Sequence, residues 1–156
     1  MNINIIPEER AQKAYDLFCE GYNCAQAVAI AFSDIIMLDK ETISRLVSGF
    51  GGGFGRMREV CGAISGGVFV LNAIFGIFDV NNVEAKAKHY SLIQELLKTF
   101  EAENGSYICR ELLGLDVKNE APTPEKRNAQ YYKKRPCAEL CAISAKITSK
   151  IIIGQK

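Results

Sequence analysis

The chain has 156 residues, 48% hydrophobic and 24% charged, which allows one compact domain and excludes wholesale disorder. Nineteen basic and 18 acidic side chains give a formal charge of +1, so the basic excess of a protein that grips nucleic acid or an anionic membrane is missing. Six cysteines stand against one histidine, His89, so a histidine-built metal site or a His-dependent triad has a single candidate.

The opening Met1–Arg10 has no basic segment, apolar stretch and small-residue cleavage site in succession, and the expectation is a cytoplasmic protein. In a reducing compartment six thiols point to metal ligation or redox chemistry ahead of structural disulfides. Pro7 suits a first helical turn, Glu8 and Glu9 suit its dipole, and Ala11, Ala14, Tyr15 and Phe18 follow at helical spacing until Glu20-Gly21. Asn23 is an N-cap for a second helix, from Ala25 to about Met37, and Asp39 caps a short third that ends at Gly49.

The run Gly49-Phe50-Gly51-Gly52-Gly53-Phe54-Gly55 belongs to no regular helix or strand. Val60–Phe78 then carries no charge. Its length reaches that of a membrane span, but Gly62, Gly66, Gly67, Gly76, Ser65 and Asn72 dilute it, and a buried central helix gives the same pattern. Gly62 and Gly66, four apart, allow a second helix to approach closely. Asn82 starts a long amphipathic helix that Asn104-Gly105 halts, and Ser106 caps a short one over Tyr107–Leu113. Residues 117–135 are polar, with six positive and two negative charges, and read as a solvated loop with about one turn; its basic part, Lys126–Arg135, is a candidate dock for an acidic partner. Pro136 opens a closing helix that runs to about Ile152. The expected fold is all-α: one domain over residues 1–156, about six or seven helices around a buried central helix.

On this map Cys24, Cys61, Cys109 and Cys137 all fall in first helical turns, where unpaired N–H groups and the helix dipole favour thiolate. Cys19 lies near a helix C-terminus, and Cys141 one turn inside the last helix. Separations of 37, 48 and 28 residues, with no Cys-x-x-Cys pair, exclude zinc knuckles and ferredoxin loops. A site assembled only on folding remains: four thiolates around a [2Fe–2S] cluster, a structural zinc or another metal, or else two dithiol/disulfide couples.

Cys24, then Cys61-Gly62-Ala63-Ile64-Ser65-Gly66, then Cys109-Arg110-Glu111-Leu112-Leu113-Gly114, then Cys137 resembles the C_GCAxxG_C_C family of putative redox-active proteins, from about Ala11 to Ile152. The resemblance implies a small helical prokaryotic protein with a redox role and an unassigned reaction. A related domain occurs in split-Soret cytochromes, for which an iron–sulfur cluster is proposed; the haem-attachment Cys-x-x-Cys-His is absent here. Cys19 and Cys141 fall outside the pattern, although Cys141, one turn beyond Cys137 on the same face, is a candidate substitute for it.

The leading expectation is a metal or iron–sulfur site on Cys24, Cys61, Cys109 and Cys137 that passes electrons to an unidentified partner protein. Gly51, Gly52, Gly53 and Gly62 are expected beside the cofactor, donating N–H groups to sulfur. Phosphate cradling and a plain helix–helix corner are the other readings of the glycine loop; it lacks the Gly-Lys-Ser/Thr ending of a P-loop. The alternatives for the whole protein are thiol–disulfide exchange, with Cys61 attacking and Cys24 or another thiol resolving, and a metal-holding interaction module without redox change. Arg56 and Arg58 flank Cys61 and favour its thiolate; Tyr22 and Tyr107 are candidate donors to sulfur, and His89 is expected at the surface or satisfied by a partner. A homodimer is expected from the close glycine-lined helix packing. No nucleic acid and no membrane insertion are expected.

Overall fold

The computed structural model describes residues 4–116 and 120–155; residues 1–3, 117–119 and 156 lie outside the described residues, and so does that part of the expected 117–135 loop. Helix α1 (Pro7–Cys19) begins on proline with Glu8 and Glu9 in its first turn. Asn23 caps α2 (Cys24–Ile30) through a capping box, its side chain accepting from the Gln26 N–H while Gln26 accepts from the Asn23 N–H. The single second helix expected to Met37 is instead two, because the chain bends at Ala31–Phe32 into α3 (Ser33–Ile36), which ends on Met37 at φ 56°. Arg10 fixes the bend: it donates to the Ala31 carbonyl at 2.7 Å and pairs with both oxygens of Asp34 at 2.5 and 2.7 Å.

Asp39 caps α4 (Lys40–Val47), accepting from Thr42 N–H and Oγ1–H. A single 3₁₀ turn, Ser48–Phe50, leads into α5 (Gly51–Phe54), whose Gly52 and Gly53 have φ of 67° and 66°. The uncharged segment forms α6 (Gly62–Phe75), and the amphipathic one α7 (Val83–Asn104), capped by Asn82 and closed by Gly105 at φ 86°. Helix α8 (Cys109–Leu112) is shorter than expected: Ser106 accepts from the Ile108 N–H, and the turn begins three residues after it. A turn within the polar segment, α9 (Ala129–Lys134), is capped by Asn128, and α10 (Cys137–Gly154) closes the chain.

The result is all-α. The antiparallel bridge between Val60 and Ile108 is isolated and belongs to no strand. Helix α6 is the expected central helix over its first ten residues and shares the centre with α10, which buries Leu140, Cys141, Ala145, Ile147, Ile151 and Ile152 along one face. Phe18, Phe32, Phe100, Ile64, Leu71 and Leu96 fill the space between α1, α2, α6, α7 and α10. Gly66 permits the α2–α6 contact: a Cβ there would stand 2.6 Å from the Ala25 carbonyl oxygen. His89 sits inside the bundle at 8% exposure with Nε2 2.8 Å from Asn72 Oδ1, so it is a core histidine held by an amide. No helix among the described residues is long and apolar enough to cross a membrane.

Candidate functional site: a four-cysteine cavity

Each of the four predicted cysteines sits at the start of a different helix. Cys24 is the first residue of α2 and Cys137 the first of α10; Cys109 opens α8, and Cys61 is itself the cap of α6. The N–H groups of Ala63 and Ile64 lie beside the Cys61 thiol and favour its charged form, and the Ile64 N–H donates to the Cys61 carbonyl at 3.0 Å. A backbone clasp ties two of these starts together, with the Cys61 N–H donating to Tyr107 O at 2.9 Å and the Cys109 N–H to Glu59 O at 2.6 Å. The four side chains line one cavity of about 340 Å³, walled also by Gly51, Gly52, Gly62, Arg56, Arg58, Arg127 and Arg135. Cys24 has the thiols of Cys137 and Cys141 as neighbours, and the Cys141 Sγ–H donates to the Cys24 carbonyl at 3.7 Å. Cys19 is exposed at the end of α1, away from that lining.

The glycines let these helix starts meet. A Cβ on Gly51 would stand 2.5 Å from the side chain of Asn23, which caps the Cys24 helix, and one on Gly62 would stand 3.1 Å from Cys24 Cβ. Gly53 is the most constrained: its φ is 66°, and a Cβ would lie 2.6 Å from Glu59 N and 2.8 Å from Cys109 Cβ. Gly52 is also left-handed, facing the Arg56 stem at 3.0 Å. The left-handed backbone continues through Phe54, Gly55, Arg56 and Arg58, three of them residues for which this region is costly. Gly55, Arg58 and Glu59 donate backbone bonds to Gly51, Gly52 and Gly53 and hold it in place. The loop makes a tight corner between helices, and its glycines approach Asn23, Cys24 and Cys109.

One expectation is overturned. The helix starts were to hold these sulfurs as thiolates, yet every thiol of the group is shifted upward. Burial pushes Cys61 to about 12, against the pull of the Ala63 and Ile64 N–H groups. At Cys24 the bond with Cys137 pulls down, but the bond with Cys141, burial and the neighbouring sulfurs raise it well above the usual thiol range. Cys137 is raised by its bond with Cys24 and by burial. Burial also raises Cys109, which alone of the four has a guanidinium against it: Arg58 Nη1 donates to its sulfur at 3.6 Å, and this offsets part of the shift. Burial of the sulfurs, together with the neighbouring thiols, disfavours their charge more than the helix starts favour it. Arg58 was expected to serve Cys61 and serves Cys109 instead, because the left-handed turn at Arg58 aims its side chain across the Glu59–Cys109 clasp.

Sequence reasoning missed the strap over this cavity. Glu120 takes Arg56 at 2.5 Å and Arg58 at 3.0 Å, and Arg56 Nε donates to Ala121 O. Arg127 donates to the carbonyls of Phe18 and Tyr22 and lies over the Phe18 ring, and Arg135 pairs with Glu125. Two arginines of the expected solvated basic loop are thus turned inward, and Pro122, Pro124 and Tyr131 complete the wall. Pro122 and Pro124, and the two Glu set ahead of the basic Lys126–Arg135, were the only signals available.

Among the described residues no three His, Cys, Asp or Glu side chains stand together as ligands for one metal ion. The chain belongs to the family described as putative redox-active protein (C_GCAxxG_C_C), whose family model matches residues 22–151. No curated protein and no solved structure matches it.

Proposed function

We propose that this member of a redox-active family is an electron carrier whose working group is a thiolate-bound iron–sulfur cluster held by Cys24, Cys61, Cys109 and Cys137. The observation that carries the reading is that these four sulfurs, from four helix starts, surround one cavity and are not gathered on a point. A single zinc needs its sulfurs at roughly 2.3 Å from one centre, and that arrangement is not present; a polynuclear group spreads its ligands over a wider wall.

When bound, such a cluster supplies one-electron transfer. The chain supplies the rest. Cys24, Cys61, Cys109 and Cys137 would hold it as thiolates, and the charge that burial disfavours would be shared with the metal. Arg56, Arg58, Arg127 and Arg135 line the wall and counter the negative charge of four thiolates, while Arg58 holds the Cys109 sulfur directly. Gly51, Gly52 and Gly62 keep side-chain bulk out of the cavity, and α6 and α10 back it with buried apolar side chains. The donor to or acceptor from this group is a partner protein, and the compartment in which reduced thiols persist is the cytoplasm.

Cys24 and Cys137 line the same cavity and shift each other's proton affinity, and this favours a second reading, dithiol–disulfide exchange with that pair in place of one built on Cys61. Anaerobic incubation with ferrous iron and sulfide separates the two. The cluster reading expects iron and acid-labile sulfide bound in fixed ratio, and loss of both in Cys109→Ser; protein that stays metal-free while Cys24 and Cys137 exchange two electrons with a dithiol buffer overturns it.

A further inference from the structure

Cys141 lies outside the family's four-cysteine pattern, yet it stands at the same site. It is fully buried at 0% exposure, its Sγ–H points at the Cys24 carbonyl at 3.7 Å, and its thiol neighbours the Cys24 sulfur closely enough for each to shift the other's proton affinity. Cys137 and Cys141 are four residues apart on α10, so consecutive turns present two sulfurs to one thiol on α2. The two differ in access: Cys24 and Cys137 line the cavity, and Cys141 lies behind them.

We infer that Cys141 is a fifth redox thiol of this site, which closes a buried disulfide with Cys24 when a small-molecule disulfide oxidises the cluster-free protein. The inference rests on reading this cavity as a redox site. A low-molecular-weight disulfide entering the cavity is attacked by the Cys24 sulfur; a mixed disulfide forms and one thiol leaves with the Cys24 proton. The Cys141 sulfur then attacks the Cys24 sulfur, breaks the mixed disulfide and expels the second thiol, which takes the Cys141 proton. Two electrons pass from the protein dithiol to the reagent. The product removes Cys24 from the four-cysteine set and stores it behind Cys137, where a reductant must cross the cavity to reach it.

Oxidised glutathione applied to the metal-free full-length protein tests this. Cleavage after Glu139 separates Cys137 from Cys141, so the partner of Cys24 is read by mass. A Cys24–Cys141 linkage is expected in the unaltered protein, and in Cys137→Ser the count of alkylatable thiols drops by two of five. Recovery of Cys141 as a free thiol in both proteins, with Cys24 joined only to Cys137 or to glutathione, overturns the inference. Iron and sulfide loading of Cys141→Ser is an independent reading of the site: loading equal to that of the unaltered protein is expected, and it fails only if the cluster proposal itself misassigns the four ligands.

Discussion

At Cys61 two effects of the same position oppose each other. The helix start offers N–H groups from Ala63 and Ile64, and it is also buried, with the residue 4% exposed. Burial wins and the thiol keeps its proton at neutral pH. Iodoacetamide therefore separates the cysteines of protein prepared free of metal: Cys19, exposed, reacts first at neutral pH, and Cys61 and Cys141 react only as the protein opens. Equal rates at all six would contradict the burial of the site. Arg58 is the second decisive residue. Arg58→Gln removes the donor to Cys109 and the bonds to Glu120, costs about 1.5–3 kcal/mol in urea denaturation, and slows alkylation of Cys109 at a given pH by raising its thiol further. Unchanged stability together with unchanged Cys109 reactivity would refute that role. Residue identity made the four cysteines legible in the sequence, since a capping residue or proline precedes Cys24 and Cys137 directly. Their charge state was not legible, because it depends on how many sulfurs share one cavity, and that is known only after folding.

On the scale of elements, Asn23, Asp39 and Asn82 cap the helices they were expected to cap, because an N-cap is a local hydrogen bond between residues three apart. The break in the second helix was hidden: its apolar run continues through Ile35 and Ile36, and the bend is imposed by Arg10, more than twenty residues away. Close packing of α2 on α6 was readable from Gly62 and Gly66. Gly66→Ala drives a methyl onto the Ala25 carbonyl, costs about 1–3 kcal/mol in thermal unfolding, and moves Cys24 away from Cys61; a variant as stable as the parent would show that the two helices separate freely. The strap over residues 120–135 was illegible in outline, since its ion pairs join segments more than sixty residues apart. Its anchor titrates. The Arg58 side chain holds the Glu120 carboxyl below its ordinary 4.5. The unfolded chain binds that proton first, so the contribution is complete above the ordinary value and is lost as pH falls through the lowered one. Urea midpoints measured from about pH 6 to about pH 3 fall less steeply in Glu120→Gln than in the parent. Parallel curves would mean that the strap is held by something other than this carboxylate.

The whole molecule is a helical bundle in which four chain positions, spread over more than a hundred residues, reach one cavity. That convergence is what the family pattern of spaced cysteines encodes, and the bundle realises it by starting helices at the cavity and running them away from it. Convergence was inferable from the shared placement at helix starts; the arrangement around a cavity, and the fifth thiol behind it, required the packing of α10 on α2. The central claim is that the four sulfurs form a single redox centre. Anaerobic potentiometric titration of iron- and sulfide-loaded protein tests it most directly. One reversible one-electron couple is predicted, present in Cys19→Ser and abolished in the serine variants of Cys24, Cys61, Cys109 and Cys137 alike; a couple that survives loss of any of those four, or a loaded protein with no couple, would contradict it.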